Sequence, residues 1–223
     1  MRFLIALGIG LATLWGGWPT VDMASAQSQA KDAFQLGQEY ESLPEPRTLA
    51  EPDDGRIEAV LFFWYGCPHC YTADARLSAW AAKLPADVRF LRLPVLFNDQ
   101  IEFHARIFMT LESLGYGQET HLKVFRIFQD EGRFINTQKE LAGLAKDLKI
   151  DPQAFMAAFN SQDVQARMTA LNKLMTAYDL PGVPAMVVAG RYRFDIGTAR
   201  GVDGFIKVAD FLIRKERGKP RGE

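Results

Sequence analysis

Cysteine is nearly absent, with two in 223 residues. An exported chain stapled by disulfides usually carries several pairs spread along its length, so that class is excluded. None precedes Cys67, which excludes a lipid anchor on an N-terminal cysteine. A charge excess of either sign is also lacking. The 26 Lys and Arg are balanced by 27 Asp and Glu, so no chain-wide basic field draws nucleic acid or anionic lipid, and no nucleic-acid partner is expected. No repeat or low-complexity segment interrupts the chain. What remains is a chain with 48% hydrophobic residues, enough for one sizeable core.

The N-terminus sets an expected compartment. Arg2 is followed by an uncharged run from Phe3 to Trp18 and then by Ala24-Ser25-Ala26. The run is shorter than the ~20 apolar residues of a spanning helix and reads as a secretory signal cleaved after Ala26. Export to the periplasm is expected. The alternative is an uncleaved anchor.

The two cysteines form Cys67-Pro68-His69-Cys70. A bridge across so small a loop adds little chain-entropy stabilisation, so the pair is there for chemistry. Zinc fits poorly: two thiolates and His69 crowd four residues, His104 and His121 stand far off in the chain, and no second CxxC exists. Haem attachment requires CxxCH, and position 71 is Tyr. No metal and no cofactor are expected.

The surroundings sharpen this. Ile57 to Trp64 is a nearly continuous apolar run, the pattern of a strand buried on both faces. Pro68 suits the first turn of a helix, and Cys70, Ala73, Leu77, Ala81 and Leu84 recur at helical spacing until Pro85. Cys67 therefore falls at a helix N-terminus, where unpaired N–H groups and the helix dipole favour a thiolate, and a protonated His69 would add to this. Cys70 falls on the apolar stripe. An exposed nucleophile and a sheltered resolving thiol are expected.

The fold class read from the chain is α/β. Residues 1–26 form the signal, and residues 27–56 form a mostly solvated, proline-bearing segment with a possible edge strand near Tyr40. Residues 57–97 and 179–215 supply the strands and the terminal helix, including Val88 to Leu93, a hairpin turning at Ala189-Gly190, and a helix from Val202 to Arg214. Residues 98–178 read as purely helical, with starts at Asn98, at Thr137-x-x-Glu140 and at Asp151-Pro152. Residues 216–223 are a basic, solvated tail. Phe103, Phe108, Phe125, Phe128, Phe155 and Phe159 are expected in the core.

Two motifs carry a resemblance: Phe62-Phe63-Trp64-Tyr65-Gly66-Cys67-Pro68-His69-Cys70-Tyr71, and the distant Gly182-Val183-Pro184-Ala185-Met186. Together they resemble the DsbA family of thiol:disulfide interchange proteins over nearly all of the chain past the signal. The resemblance implies a thioredoxin fold interrupted by a helical domain, and a cis peptide before Pro184 facing the cysteines. It also implies a monomer acting on unfolded or newly exported chains with free cysteines and reoxidised by a DsbB-type membrane partner. In that family the thiolate pKa is low and the reduced form is stabilised. A cis bond before Pro184 would turn the Val183 backbone outward to pair with an extended substrate. The chain departs from the family at Leu61, where some members carry a buried Glu.

Asp74 lies one helical turn after Cys70, and Arg92 shares a strand face with Val88 and Phe90. Both could reach beneath the resolving thiol as a polar pair that assists proton movement. A structural ion pair, or separate solvated charges, is the alternative. The expected reaction begins with attack of a substrate thiolate on Cys67 of the Cys67–Cys70 disulfide. The resulting mixed disulfide is then resolved by a second substrate thiol, with Cys67 leaving. The rival readings are an isomerase or reductase of the same fold, for which the segment before the first core strand is too short to hold a dimerisation domain, and a non-redox peptide-binding chaperone.

Overall fold

In a computed structural model of the chain, residues 33–45, 47 and 54–218 are described. The expected signal and its cleavage site lie outside them. The long apolar run becomes β2 (Ile57–Phe63), which follows a two-residue edge strand, β1 (Glu41–Ser42). Helix α1 (Pro68–Ala81) then crosses over to β3 (Val88–Pro94), which pairs parallel with β2. Parallel neighbours cannot be joined by a tight turn, so the helix is the crossover that this pairing requires. Five helices follow: α2 (Asp99–Ser113), α3 (Gln118–Gln129), α4 (Gln138–Asp147), α5 (Pro152–Phe159) and α6 (Gln162–Tyr178). The chain returns through a hairpin, β4 (Ala185–Val188) and β5 (Tyr192–Asp195), and ends in α7 (Val202–Arg217).

The sheet order is β1-β5-β4-β2-β3, with β2 internal, between β3 and an antiparallel β4. Successive residues of a strand face opposite sides, and in β2 both sides are covered. Ala59 and Leu61 pack with Ala73 and Leu77 of α1 and with Phe205, Val208 and Leu212 of α7. Val60 and Phe62 pack on the other side with Ile101 of α2 and Tyr178 of α6. A third cluster joins Phe63, Tyr65 and both cysteines to Phe108, Phe125, Phe128, Phe155 and Phe159 of the helices. The dithiol thus lies where the sheet end meets the helical core. Residues from Phe34 onward form one compact unit, so the helices share their packing with the sheet.

Local signals explain the boundaries. Asn98 accepts from the Ile101 N–H, Asp151 caps α5, and Thr137 and Glu140 form a reciprocal capping box. The hairpin turns through Ala189 and Gly190, both at positive φ (52° and 60°). Two expectations need correction. Helix α1 stops at Ala81, short of Leu84, because Pro85 disfavours helical geometry at the residue before it. The segment before β2 is mostly exposed where it is described, in line with the expectation, and its two buried side chains flank the edge strand. Tyr40 and Leu43 are buried because β1 pairs with β5, and Leu43 N–H donates to the Arg191 carbonyl at 2.7 Å. The basic end is helical as far as Arg217, whose guanidinium donates two bonds, of 2.6 and 2.7 Å, to the Asp87 carboxylate. A planar fork on a carboxylate, with Arg214, Lys215 and Arg217 beside the helix C-terminus, extends the last turn.

Candidate active site

Strand β2 delivers the chain to the site, and a tight turn then aims it. The Cys67 N–H donates to the Trp64 carbonyl at 3.0 Å. The Trp64 ring lies against Gly66, where an added Cβ would stand 2.2 Å from a ring carbon, so only glycine fits. Cys67 is the N-cap of α1 in extended geometry (φ −90°, ψ 113°), and Pro68 opens the first turn. Its Sγ accepts from the Cys70 N–H at 3.3 Å. Hydrogen bonding from the Cys70 thiol is the largest influence on Cys67. Burial opposes it, the backbone N–H groups of Cys70 and His69 and the charge of His69 reinforce it, and the thiol falls from its ordinary 9.0 to about 6.

Cys70 is the opposite case. It is 3% exposed, and burial, with the neighbouring Cys67 sulfur, pushes its thiol well above the ordinary range. Both cysteines are free thiols. The expectation of an exposed nucleophile is corrected: Cys67 is only 7% exposed. The cause is a distant loop. The Val183 carbonyl oxygen approaches to 3.6 Å from Cys67 Sγ, from beside a cis Val183–Pro184 bond. The exposed rim consists of Pro68 and His69.

Beneath Cys70 lies a buried polar cluster. Asp74 is 1% exposed, and its carboxylate accepts from Arg92 Nε at 3.2 Å, Gln118 Nε2 at 3.0 Å and Ser78 Oγ at 3.2 Å. Arg92 also donates to Ser78 Oγ at 2.8 Å and rests over the Phe90 ring. Asp74 and Arg92 are therefore joined, not separate solvated charges. Burial works against ionisation of Asp74, but His121 and Arg92 outweigh it and hold the carboxyl below its ordinary value.

The structure also brings in residues that the sequence reading set aside. His121 of α3 stands against the rings of Phe63 and Phe125, with Nδ1 3.0 Å from the Tyr65 hydroxyl and Nε2 3.4 Å from Asp74 Oδ1. His104 of α2 is fully buried and accepts from Trp64 Nε1 at 2.9 Å. Because an indole N–H only donates, Nδ1 of His104 is bare and Nε2 carries the proton, 3.1 Å from Asn136 Oδ1. Burial lowers the pKa of both histidines, which favours the neutral rings. Among the described residues, no group of three or more His, Cys, Asp or Glu is arranged to hold a metal ion.

A sheet with one crossover helix, a dithiol at that helix's N-terminus and a cis-proline loop against the outer sulfur define a thioredoxin-type redox site. The comparisons are more specific. Residues 90–212 match the family described as DSBA-like thioredoxin domain. That stretch begins after the dithiol, so the match is independent of the Cys67–Cys70 motif, although it includes Gly182 to Met186. The thiol:disulfide interchange protein DsbA of Pseudomonas aeruginosa is 42% identical over 186 residues, covering 83% of this chain and 87% of the relative. The Azotobacter vinelandii protein of the same name is 41% identical over 192 residues, covering 86% and 89%. The crystal structure of Pseudomonas aeruginosa DsbA superposes with a TM-score of 0.80 over 84% of this chain and 96% of that one, at 42% identity. The oxidoreductase DsbA of Xylella fastidiosa gives 0.78 at 30% identity, covering 83% and 99%. The chain belongs to the DsbA family of thiol:disulfide oxidoreductases.

Proposed function

We propose that the protein acts as an oxidant, donating the Cys67–Cys70 disulfide to newly exported, unfolded chains with free cysteines. A substrate thiolate attacks Cys67 Sγ, the Cys67–Cys70 bond breaks, and its electron pair goes to Cys70. A second substrate thiol attacks the mixed disulfide, and Cys67 leaves as a thiolate. Exchange is faster when the departing thiol has a low pKa, and the unequal pKa values of the two sulfurs support this direction. The single observation that carries the reading is the placement of the two sulfurs, Cys67 at the N-cap of α1 accepting from the Cys70 N–H at 3.3 Å and Cys70 enclosed in the core behind it.

In this reading Pro68 opens the helix whose N–H groups serve Cys67, and His69 adds charge at the rim. The Val183 backbone and Pro184 hold an extended substrate against Cys67. Asp74 and Arg92, joined under Cys70, move its proton. The protein works in the periplasm as a monomer, after cleavage behind Ala26, and a DsbB-type membrane partner restores the disulfide. Timed alkylation of the reduced protein tests the assignment of roles. Iodoacetamide should label Cys67 first, with a reactivity profile that titrates near pH 6. Labelling that begins at Cys70 would overturn it.

A further inference from the structure

Trp64 serves both sulfurs through its backbone. Its carbonyl accepts from the Cys67 N–H at 3.0 Å, which closes the turn that carries the nucleophile. Burial, with the Cys67 sulfur, pushes the Cys70 thiol up, and the Trp64 backbone N–H works against them. The side chain belongs to the same construction. The six-membered ring of the indole lies so close to Gly66 that no Cβ would fit between them, so ring and turn share this space in one arrangement. Whatever holds the indole therefore holds the turn.

His104 of α2 holds it, from 40 positions further along the chain. Trp64 Nε1 donates to His104 Nδ1 at 2.9 Å, and the two rings lie within 9° of parallel, which suits an N–H aimed at an in-plane lone pair. That bond fixes the tautomer, and Nε2 donates to Asn136 Oδ1 at 3.1 Å. Asn136 is fixed in its turn. Its amide oxygen also accepts from Gln100 Nε2 at 3.0 Å, and its backbone N–H donates at 2.8 Å to Glu140 Oε2, the carboxylate of the capping box of α4. An indole that only donates stands at one end of this chain and a carboxylate that accepts stands at the other, so each bond has one direction. His104 is fully buried, with its ring perpendicular to Phe128 at 4.8 Å, so water does not substitute for a lost partner there.

We propose that His104 is a positioning residue for the dithiol: by holding the Trp64 indole over Gly66, it keeps the Trp64–Cys67 turn closed, with the Cys67 sulfur at the helix end. It acts through Trp64 and not on a sulfur. An apolar side chain in its place would leave the indole N–H facing a buried site without an acceptor. The half-buried indole escapes that penalty by turning toward solvent, which uncovers Gly66 and frees the turn. The Cys67 sulfur then loses its fixed place before the Cys70 N–H, which it now meets at 3.3 Å. A redox site at the end of β2 is in this way tied to the start of α4 by side chains alone.

The test compares the full-length parent protein with His104→Leu and His104→Gln. Gln accepts from the indole through Oε1 and donates to Asn136 through Nε2, whereas Leu fills the space and does neither. Three quantities are read on each: solvent exchange of the Trp64 indole N–H by NMR, the pH profile of Cys67 alkylation, and the equilibrium with glutathione. In His104→Leu the indole N–H should exchange about tenfold faster. The Cys67 profile should rise from about 6 to about 7 as the sulfur loses its fixed donors. The equilibrium constant for reduction by glutathione at pH 7 should then fall about fivefold, because less thiolate stabilisation remains in the reduced form. His104→Gln should keep all three at the parental values. The variants are read against the parent, so the parent's own equilibrium bears on the direction of electron flow and the differences bear on His104. A fast-exchanging indole with a parental Cys67 profile in His104→Leu would show that the turn holds itself, and would overturn the inference. Equal displacement in the Leu and Gln variants would show that only the shape of the ring matters, and would overturn it too. Should His104→Leu fail to fold, Asn136→Ala, at an exposed position, decides by removing the acceptor of Nε2. Faster indole exchange with a raised Cys67 profile supports the inference there, and parental values of both overturn it.

Discussion

Cys67 and Cys70 share one helical turn, yet their surroundings have little in common. Cys67 receives backbone N–H groups and the charge of His69 at the helix end, and its cover is a carbonyl from a remote loop. Cys70 points into an aromatic core, with an ion pair below it. Both residues are nearly inaccessible, at 7% and 3%, and burial opposes both thiolates, but it is outweighed only at Cys67. What distinguishes them is the supply of hydrogen-bond donors. A thiolate can be stabilised out of bulk water where N–H groups converge on it, and is strongly disfavoured three residues further on where they do not.

The largest effect should come from removing the better-served sulfur. Cys67→Ala should abolish oxidation of a dithiol peptide. Cys70→Ala should still form mixed disulfides through Cys67 and accumulate them. In that variant the Cys67 profile should move up from about 6, because the Cys70 thiol is its largest stabilising influence. An unmoved profile would shift the weight to the helix end alone.

The next effect concerns the floor. Asp74→Ala leaves Arg92 without its carboxylate in a part-buried site, and removing one partner of such a pair costs about 3 kcal/mol. Denaturant unfolding should show that loss in both redox forms. The same change should ease ionisation of Cys70, whose thiol the Asp74 charge pushes up, while Cys67 keeps its profile. Equal movement of both thiols would mean that rim and floor are not separate environments.

A smaller effect lies in the stability of the two redox forms. Folding depresses the Cys67 pKa from 9.0 to about 6. This contribution is fully present above the unfolded pKa, and it is lost as the pH falls through the folded one. At pH 7 it stabilises the reduced form by about 1.4 kcal/mol, the worth of one pKa unit, against the small loop-closure gain of the bridge. Above the unfolded pKa the raised Cys70 thiol works in the opposite direction, because the unfolded chain ionises there and the native one does not. The reduced form should therefore gain on the oxidised form from acid to about pH 9 and lose ground beyond it. Chemical denaturation of both forms across that range checks the shape. A gap independent of pH would remove the thiolate from the account.

Much of the site was legible before folding. The apolar run of β2, the proline behind Cys67 and the helical spacing to Cys70 are local patterns, and they place one sulfur at a helix end and the other inside. Asp74 was within reach because it is one turn from Cys70. Three features were not legible, for physical reasons. The burial of Cys67 depends on Val183, more than a hundred positions away, and no local pattern encodes that approach. His104 and His121 reach the site only through the packing of α2 and α3 against the end of β2. Periodicity shows which face of each helix is apolar, not which partner it meets. Helix α3 follows Gly117, which has no side chain to cap it, so its start was invisible within the helical stretch, whereas α6 follows Ser161, a lone serine cap on the Val164 N–H that one local signal could have located. The final turn of α7 depends on Asp87 before β3, which a tail read in isolation could not reveal.

Equilibration of the protein with glutathione buffers tests the central claim most directly. A Cys67 thiolate stabilised at the helix end lowers the free energy of the reduced dithiol, so the disulfide should be readily given up. The measured potential should lie well above the roughly −270 mV of thioredoxin. A value at or below that mark would show that the protein takes disulfides apart instead of donating them.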